Sequence, residues 1–91
     1  MKTYAWDNKK NEWLINARGI SFERIIHLIE NNGLLDIIQH PNSEKYPNKR
    51  MFIININEYA YLVPFVESKK EIFLKTVIPS RKATKKYIGE K

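Results

Sequence analysis

Cationic side chains crowd the segment TVIPSRKATKKY, residues 76–87, in which a β-branched run stops at a proline. Arginine suits a phosphate because its planar guanidinium can bind two oxygens at once and stays charged. Such cations could hold the phosphates of a polyanion. Cleavage of a phosphodiester without a metal would also need a base for the attacking hydroxyl and an acid for the leaving oxygen. The candidates for the cationic role are Arg50, Lys75 and Arg81. The competing interpretation is a structural ion pair for Arg81 and a solvent-facing strand position for Arg50 and Lys75.

Two further side chains are candidates for proton transfer. Histidine titrates near neutrality, which makes His40 the better acid–base candidate of the two histidines, but its place beside Pro41 also fits a turn residue. Tyr87 could protonate the leaving group or stack on a base, or it could anchor a terminal helix to the sheet. The histidines lack the spacing of ligands on one helix and the chain has no cysteine, so the sequence predicts no metal and no cofactor.

The net charge of +6 is concentrated in the last quarter of the chain. Residues 1–68 hold eight Lys or Arg and eight Asp or Glu, which cancel, whereas residues 69–91 hold eight cations and two anions. A one-sided basic patch is typical of proteins that bind polyanions, although a solvated basic tail gives the same composition. The further residues expected to contact nucleic acid are Lys49, Ser80, Lys82, Thr84, Lys85 and Lys86.

The composition indicates one domain spanning residues 1–91. A hydrophobic fraction of 43% and a charged fraction of 29% are those of a globular chain rather than a disordered one. The sequence offers no cysteine for a disulfide, no signal peptide at its start, and no apolar run of about 18 residues that would span a membrane. We therefore expect a cytoplasmic protein that does not enter membranes.

Capping residues mark a first helix after a short N-terminal strand. Asp7 or Asn8 begins this helix, because a short side-chain oxygen can accept a free N–H of the first turn. Gly19 ends it, as glycine tolerates the left-handed conformation that follows many helices. Its apolar residues Trp13 and Leu14 are expected to face the core.

A second helix is predicted over residues 22–32, between Ser21 as the N-cap and Gly33 as the residue that ends it. Its apolar residues recur at helical spacing and define a stripe that faces the core. The stripe consists of Phe22, Ile25, Ile26 and Ile29, with Leu28 widening it.

The remainder of the chain reads as strands. LLDIIQ is one strand, and residues 50–66 form a hairpin that turns near Asn57. Pro64 cannot donate a ladder hydrogen bond, so we expect it at an edge or a bulge. EIFLKTVI is the last strand, and Ser80 caps a short terminal helix. The predicted fold is α+β, with two N-terminal helices packed on a mostly antiparallel sheet of four or five strands.

Two segments of the sequence resemble the BrnT-type toxins. WDNKKNEWLINARGISFE is similar to the opening signature of that family, and SRKATKKY is similar to its closing Ser-Ala-Arg-x-Ala-Thr segment. Arg50, which directly precedes the strand segment MFIININ, also matches an arginine of that family at the head of the third strand. The matching positions are Trp6, Asp7, Asn8, Lys10, Arg18, Gly19, Ile20, Phe22, Glu23, Ser80, Arg81, Ala83, Thr84 and Tyr87.

The resemblance implies a RelE-like fold and a ribosome-independent endoribonuclease that cleaves RNA without a metal. It also implies a cognate antitoxin, a small DNA-binding protein encoded beside the toxin gene, which would form a hetero-oligomer with the toxin. This sequence departs from the family where the fourth strand often carries a histidine, since Pro64 and Phe65 stand there. The alternative is therefore a non-catalytic module of the same fold that binds nucleic acid or the antitoxin.

Overall fold

The computed structural model describes residues 2–39, 44–45 and 49–89, so the predicted site residue His40 lies outside the described residues. Three helices and a mixed sheet of six strands confirm the α+β class, with more strands than the four or five predicted. The elements, in chain order, are β1 (Thr3–Trp6), α1 (Asn8–Arg18), α2 (Phe22–Glu30), β2 (Leu34–Gln39), β3 (Lys49–Ile56), β4 (Tyr59–Glu67), β5 (Glu71–Leu74), β6 (Ile78–Pro79) and α3 (Arg81–Tyr87).

The strands lie in the order β1-β5-β4-β3-β2, with β6 pairing beside β4. β3 and β4 form the predicted antiparallel hairpin, in which Ile56 lies opposite Tyr59. Asn57 and Glu58 join them with φ of 51° and 66°, the left-handed pair that a two-residue turn requires to match the strand twist. The sheet is mixed because β1 runs parallel to β5.

The predicted last strand is divided into two strands. Both pair with the side of β4 on which Pro64 lacks a hydrogen-bond donor. β5 pairs with β4 up to Leu74, and the Lys75 N–H then donates to the Pro64 carbonyl at 2.8 Å. The nitrogen and carbonyl of a strand residue face the same neighbour, so Pro64 also presents to Lys75 a nitrogen that has no hydrogen. Pairing resumes only at β6, where Ile78 lies opposite Leu62. The expectation of one continuous strand was wrong for this reason.

Buried side chains form two clusters. The larger joins Leu14 and Phe22 of the N-terminal helices to Phe52 and Ile54 of β3. The smaller joins Ile53, the residue between those two, to Ala60 of β4 and Ala83 of α3. Successive side chains of a strand point to opposite faces, so the two clusters lie on opposite faces of the sheet. We call the face that contacts α3 the α3 face.

Trp13 does not face the core, contrary to the prediction. Its side chain is 48% exposed, whereas Leu14 is fully buried. The buried line of α1 runs through Asn11 and Leu14, and consecutive residues stand about 100° apart around a helix. The residue directly before Leu14 therefore leaves the interface.

α2 begins where predicted, since the Ser21 hydroxyl accepts a hydrogen bond from the Arg24 N–H at 3.1 Å. It ends at Glu30, two residues earlier than predicted, and Asn32 takes the left-handed conformation with φ of 70°. Gly33 is needed for a different reason: a Cβ there would lie 2.8 Å from the Leu28 Cβ. Close approach of the chain, not helix termination, requires glycine at this position.

Asn11, a buried polar side chain, ties the two N-terminal helices together. Its Oδ1 accepts the Phe22 N–H at 2.8 Å, and its Nδ2 donates to Glu23 Oε1 at 2.8 Å. The Phe22 N–H belongs to the first turn of α2, where helical amides lack intrahelical partners. Asn11 thus supplies from α1 a hydrogen bond that α2 cannot make by itself.

We expect Asn11→Ala to lower the free energy of unfolding by about 1–3 kcal/mol, because it leaves buried polar groups without partners. Urea denaturation followed by circular dichroism measures the change. Asn16→Ala, at an exposed position of the same helix, is the matched control and should cost little. Equal stability of the two variants would show that the Asn11 contacts do not hold α2.

Candidate functional site

Residues of the closing segment fasten α3 to the sheet. The Ser80 hydroxyl caps the helix by accepting the Ala83 N–H at 3.1 Å. The Thr84 hydroxyl donates to the Ser80 carbonyl at 2.7 Å and accepts the Ala60 N–H of β4 at 2.8 Å. Ala83 is buried between them against the sheet. Ser80 and Thr84, both predicted to contact phosphate, therefore have their hydroxyls engaged within the fold.

Tyr87 connects the end of α3 to β2. Its O–H donates to Asp36 Oδ2 at 2.7 Å, and the Ile37 N–H donates to Asp36 Oδ1 at 2.8 Å. These hydrogen bonds, first that of Tyr87 and then that of Ile37, lower the pKa of Asp36. The hydrogen bond to Asp36 also raises the pKa of Tyr87, so the phenol keeps its proton. This contact is the one an anchoring residue makes.

Two lysines border a cavity beneath α3. Lys82 and Lys86 stand one helical turn apart, and Lys86 Nζ lies 5.3 Å from the centroid of the Tyr87 ring. The cavity has a volume of about 260 Å³. Its lining residues are Ile38, Ile53, Leu62, Ser80, Lys82, Ala83, Lys86 and Tyr87.

A second, larger cavity lies at the open end of the β3–β4 hairpin. Its volume is about 430 Å³, and Lys49 and Lys75 border it. Its lining residues are Lys49, Arg50, Met51, Pro64, Phe65, Val66 and Lys75. Met51 is two residues from Ile53, so the pleat puts both side chains on the α3 face, where they contribute to different cavities. The two cavities therefore follow one another along one surface, which four lysines border.

Arg50 is engaged on the other face of the sheet. It lies directly opposite Phe65, which packs in the larger core cluster, and its Cζ stands 5.4 Å from the Phe65 ring centroid. Its guanidinium forms an ion pair with Glu67, which also pairs with Lys2. The hydrogen bonds from Lys2 and then Arg50 lower the pKa of Glu67.

Arg81 and Lys85 point away from the sheet. They stand one turn apart on the side of α3 opposite Ala83, and both are exposed. Arg81 has no ion pair or hydrogen bond of its side chain within the described part of the chain. The helix thus presents two pairs of cations, one over the cavity and one to solvent.

The structure brings together only part of the predicted site. Lys49, Lys75, Lys82, Lys86 and Tyr87 share the α3 face, whereas the Arg50 guanidinium is on the other side of the sheet. Sequence reasoning missed Asp36, although an aspartate within the apolar strand LLDIIQ was a visible signal that something binds it. Among residues 2–39, 44–45 and 49–89, no three of His, Cys, Asp or Glu come together as metal ligands. No helix of those residues is long and apolar enough to cross a membrane.

Comparisons with family models, curated proteins and solved structures find no match to this chain. Geometry and sequence pattern therefore carry the functional argument. The geometry defines a basic, partly apolar surface on a small α+β fold.

We expect the pKa of Asp36 to lie below its ordinary value of 3.8, and Tyr87→Phe to raise it by removing the phenolic donor. Because the folded-state pKa is depressed, the contact stabilises α3 fully above the unfolded pKa and is lost as pH falls through the folded value. Carboxyl ¹³C shifts measured from pH 2 to 7 would report this titration. Glu67, held by Lys2 and Arg50, is the internal control; an unchanged Asp36 titration in the variant would contradict the assignment.

Proposed function

We propose that this chain is a toxin of a type II toxin–antitoxin pair, a metal-independent and ribosome-independent endoribonuclease that binds RNA on the α3 face. The lysines that border the two cavities would meet backbone phosphates, and the apolar residues that line the cavities would meet a nucleobase. Lysine and arginine contacts to the backbone supply the sequence-independent part of nucleic-acid affinity. The proposal rests on this surface together with the BrnT-like opening and closing segments.

The proposal depends on one observation, which is that the Arg81 guanidinium is exposed and available to a ligand. Within the closing segment, Ser80 caps α3, Ala83 is buried and Thr84 bonds to β4. Arg81 stands among these residues, exposed, with no structural contact of its own in the described chain. Its backbone is fixed by its neighbours while its guanidinium remains available. A cation held in this way suits the stabilisation of charge on a phosphate.

The catalytic roles are assigned from the residue types of the candidates. Arg81, with Lys75 as a second cation, would stabilise the charge that develops on the scissile phosphate. Tyr87 is the candidate acid for the leaving 5′-oxygen, and it would have to exchange its hydrogen bond to Asp36 for one to the RNA. His40 remains the candidate base. Arg50, already paired with Glu67, would act by holding the strand that carries Lys49.

A cognate antitoxin is the proposed partner, in the cytoplasm. A small DNA-binding protein that presents acidic side chains to the α3 face would neutralise its lysines and block the RNA site at once. Hetero-oligomer formation would therefore compete with RNA. An open reading frame for such a protein beside this gene would support the pairing.

A non-catalytic binding module of the same fold is the second candidate. It is favoured by the ion pair of Arg50 with Glu67 and by the hydrogen bond of Tyr87 with Asp36. Two of the candidate catalytic groups are thereby engaged within the fold. In this alternative the cations of the α3 face bind nucleic acid or an antitoxin without cleaving anything.

Replacing Lys82 and Lys86 together by Ala should weaken RNA binding and flatten its salt dependence. Each lost phosphate contact on a single strand lowers the slope of log K against log salt by about 0.7, so the double variant should lose roughly 1.4. Fluorescence anisotropy of labelled RNA at several salt concentrations measures the slope. The control removes two exposed lysines of the β4–β5 turn, Lys69 and Lys70. Equal slopes for the two double variants would show that the RNA-binding surface does not include α3.

Arg81→Ala should leave the protein folded and lower RNA cleavage roughly 10²–10³-fold, the loss seen when one preorganised donor is removed from a developing charge. Lys75→Ala and Arg50→Ala should each lose less. Cleavage of labelled RNA in the presence of EDTA, and growth arrest on expression, are the two measurements.

Arg24→Ala, at an exposed position of α2, carries the same charge change and should keep full activity. Wild-type levels of cleavage in the Arg81 variant would remove Arg81 from the mechanism. If the wild-type chain, purified without an antitoxin, binds RNA but cleaves none, the non-catalytic module replaces the enzyme.

A further inference from the structure

Trp13 is the most exposed of the large apolar side chains in the described chain, at 48%. It stands on α1, whose buried line through Asn11 and Leu14 leaves its ring in solvent. A tryptophan in water forgoes the largest hydrophobic gain that any side chain offers on burial. The fold leaves about half of this side chain exposed, and that half is available to a ligand.

Two cations stand against the ring. Lys10 Nζ lies 4.3 Å and Arg18 Cζ 5.6 Å from its centroid, both within reach of a cation–π contact. Neither side chain has an ion pair within the described part of the chain. α1 carries only one anion, Glu12, against three cations. The surface therefore combines an aromatic ring with positive charge that no ion pair of the described residues neutralises.

This combination fits a single-stranded nucleic acid better than an apolar protein surface. Single-strand binding surfaces join cations that follow the backbone to aromatic rings on which bases stack. A protein partner that covered Trp13 would also cover Lys10 and Arg18, and the burial of unpaired charge is costly. Phosphates on both sides of a stacked base would pair with the two cations instead.

We propose that Lys10, Trp13 and Arg18 form a second RNA contact, at which one unpaired base stacks on Trp13 while the adjoining phosphates bind Lys10 and Arg18. This contact, the α1 platform, deepens the proposed function because it assumes that RNA is the ligand. α1 packs on the face of the sheet opposite α3. An RNA that reaches both surfaces must pass around an edge of the sheet, so the α1 platform selects long, single-stranded substrates.

Tryptophan fluorescence tests the α1 platform directly. Trp6 is the other tryptophan of the chain, so Trp6→Phe leaves Trp13 as the reporter. The probe is a 2′-O-methyl RNA of about eight nucleotides, within the range of single-strand site sizes, which lacks the 2′-OH nucleophile and so is not consumed. We expect saturable quenching of Trp13 by this probe, and little by its fully abasic analogue, which keeps the phosphates but cannot stack.

Affinity of the otherwise unaltered chain gives a second readout that does not depend on Trp6→Phe. Trp13→Ala should weaken binding of the same RNA roughly tenfold, the loss of one stacked base. Trp13→Phe should restore most of it, since a phenyl ring also stacks. Ile15→Ala, which removes the neighbouring exposed apolar side chain of α1, is the matched control and should bind like the wild type.

The outcomes separate this proposal from the one on which it rests. RNA binding that depends on Lys82 and Lys86 but leaves Trp13 fluorescence and the Trp13→Ala affinity unchanged overturns the α1 platform alone. Cleavage that survives Arg81→Ala while Trp13 is quenched overturns the catalytic assignment alone. Quenching of Trp13 by a purified antitoxin but not by RNA would make the surface a protein interface and overturn the proposal.

Discussion

The missing N–H of Pro64 is the constraint on which the basic surface depends. If residue 64 had an N–H, the chain after Leu74 could continue in the same register along β4. Instead the pairing of β5 gives way to that of β6 with a slip of one residue, and such a slip turns every following side chain to the opposite face. Ser80 then donates its N–H to Ala60, and α3 lies on the face opposite the N-terminal helices. Pro64 of β4 thus determines on which face of the sheet α3 and its cations lie.

The segments that resemble BrnT-type toxins consist largely of structural residues. Asp7 caps α1, and Gly19 takes the left-handed conformation after it. The Phe22 N–H donates to Asn11 Oδ1, and Glu23 accepts a hydrogen bond from Asn11 Nδ2. The closing segment fastens α3 by the same kinds of contact. Among the cations of these segments, Lys10, Arg18 and Arg81 form no ion pair within the described residues. Their charge is therefore the property that a ligand would use.

Features set by near neighbours could be predicted from the sequence, and those set by distant residues could not. The cap at Ser21 depends on an amide three residues away, and the turn at Asn57 on two residues that accept a positive φ. The pairing of Tyr87 with Asp36 joins residues 51 positions apart, which no local pattern reveals. The prediction that Trp13 faces the core was wrong. Helical spacing gives the period of an apolar stripe, whereas the side of the helix that is buried is set by the elements against which α1 packs.

The parallel pairing of β1 with β5 has a consequence for how the chain acquires its structure. Each residue of Thr3–Trp6 pairs with one 68 positions later, in Glu71–Leu74. Contacts of such high sequence separation form late, because closing a long loop costs entropy before the pairing repays it. During synthesis on a ribosome, the N-terminal helices and the β3–β4 hairpin can assemble before β5, the partner of β1, has been made. The edge of the sheet is therefore completed by a strand that is synthesised 68 residues before its partner.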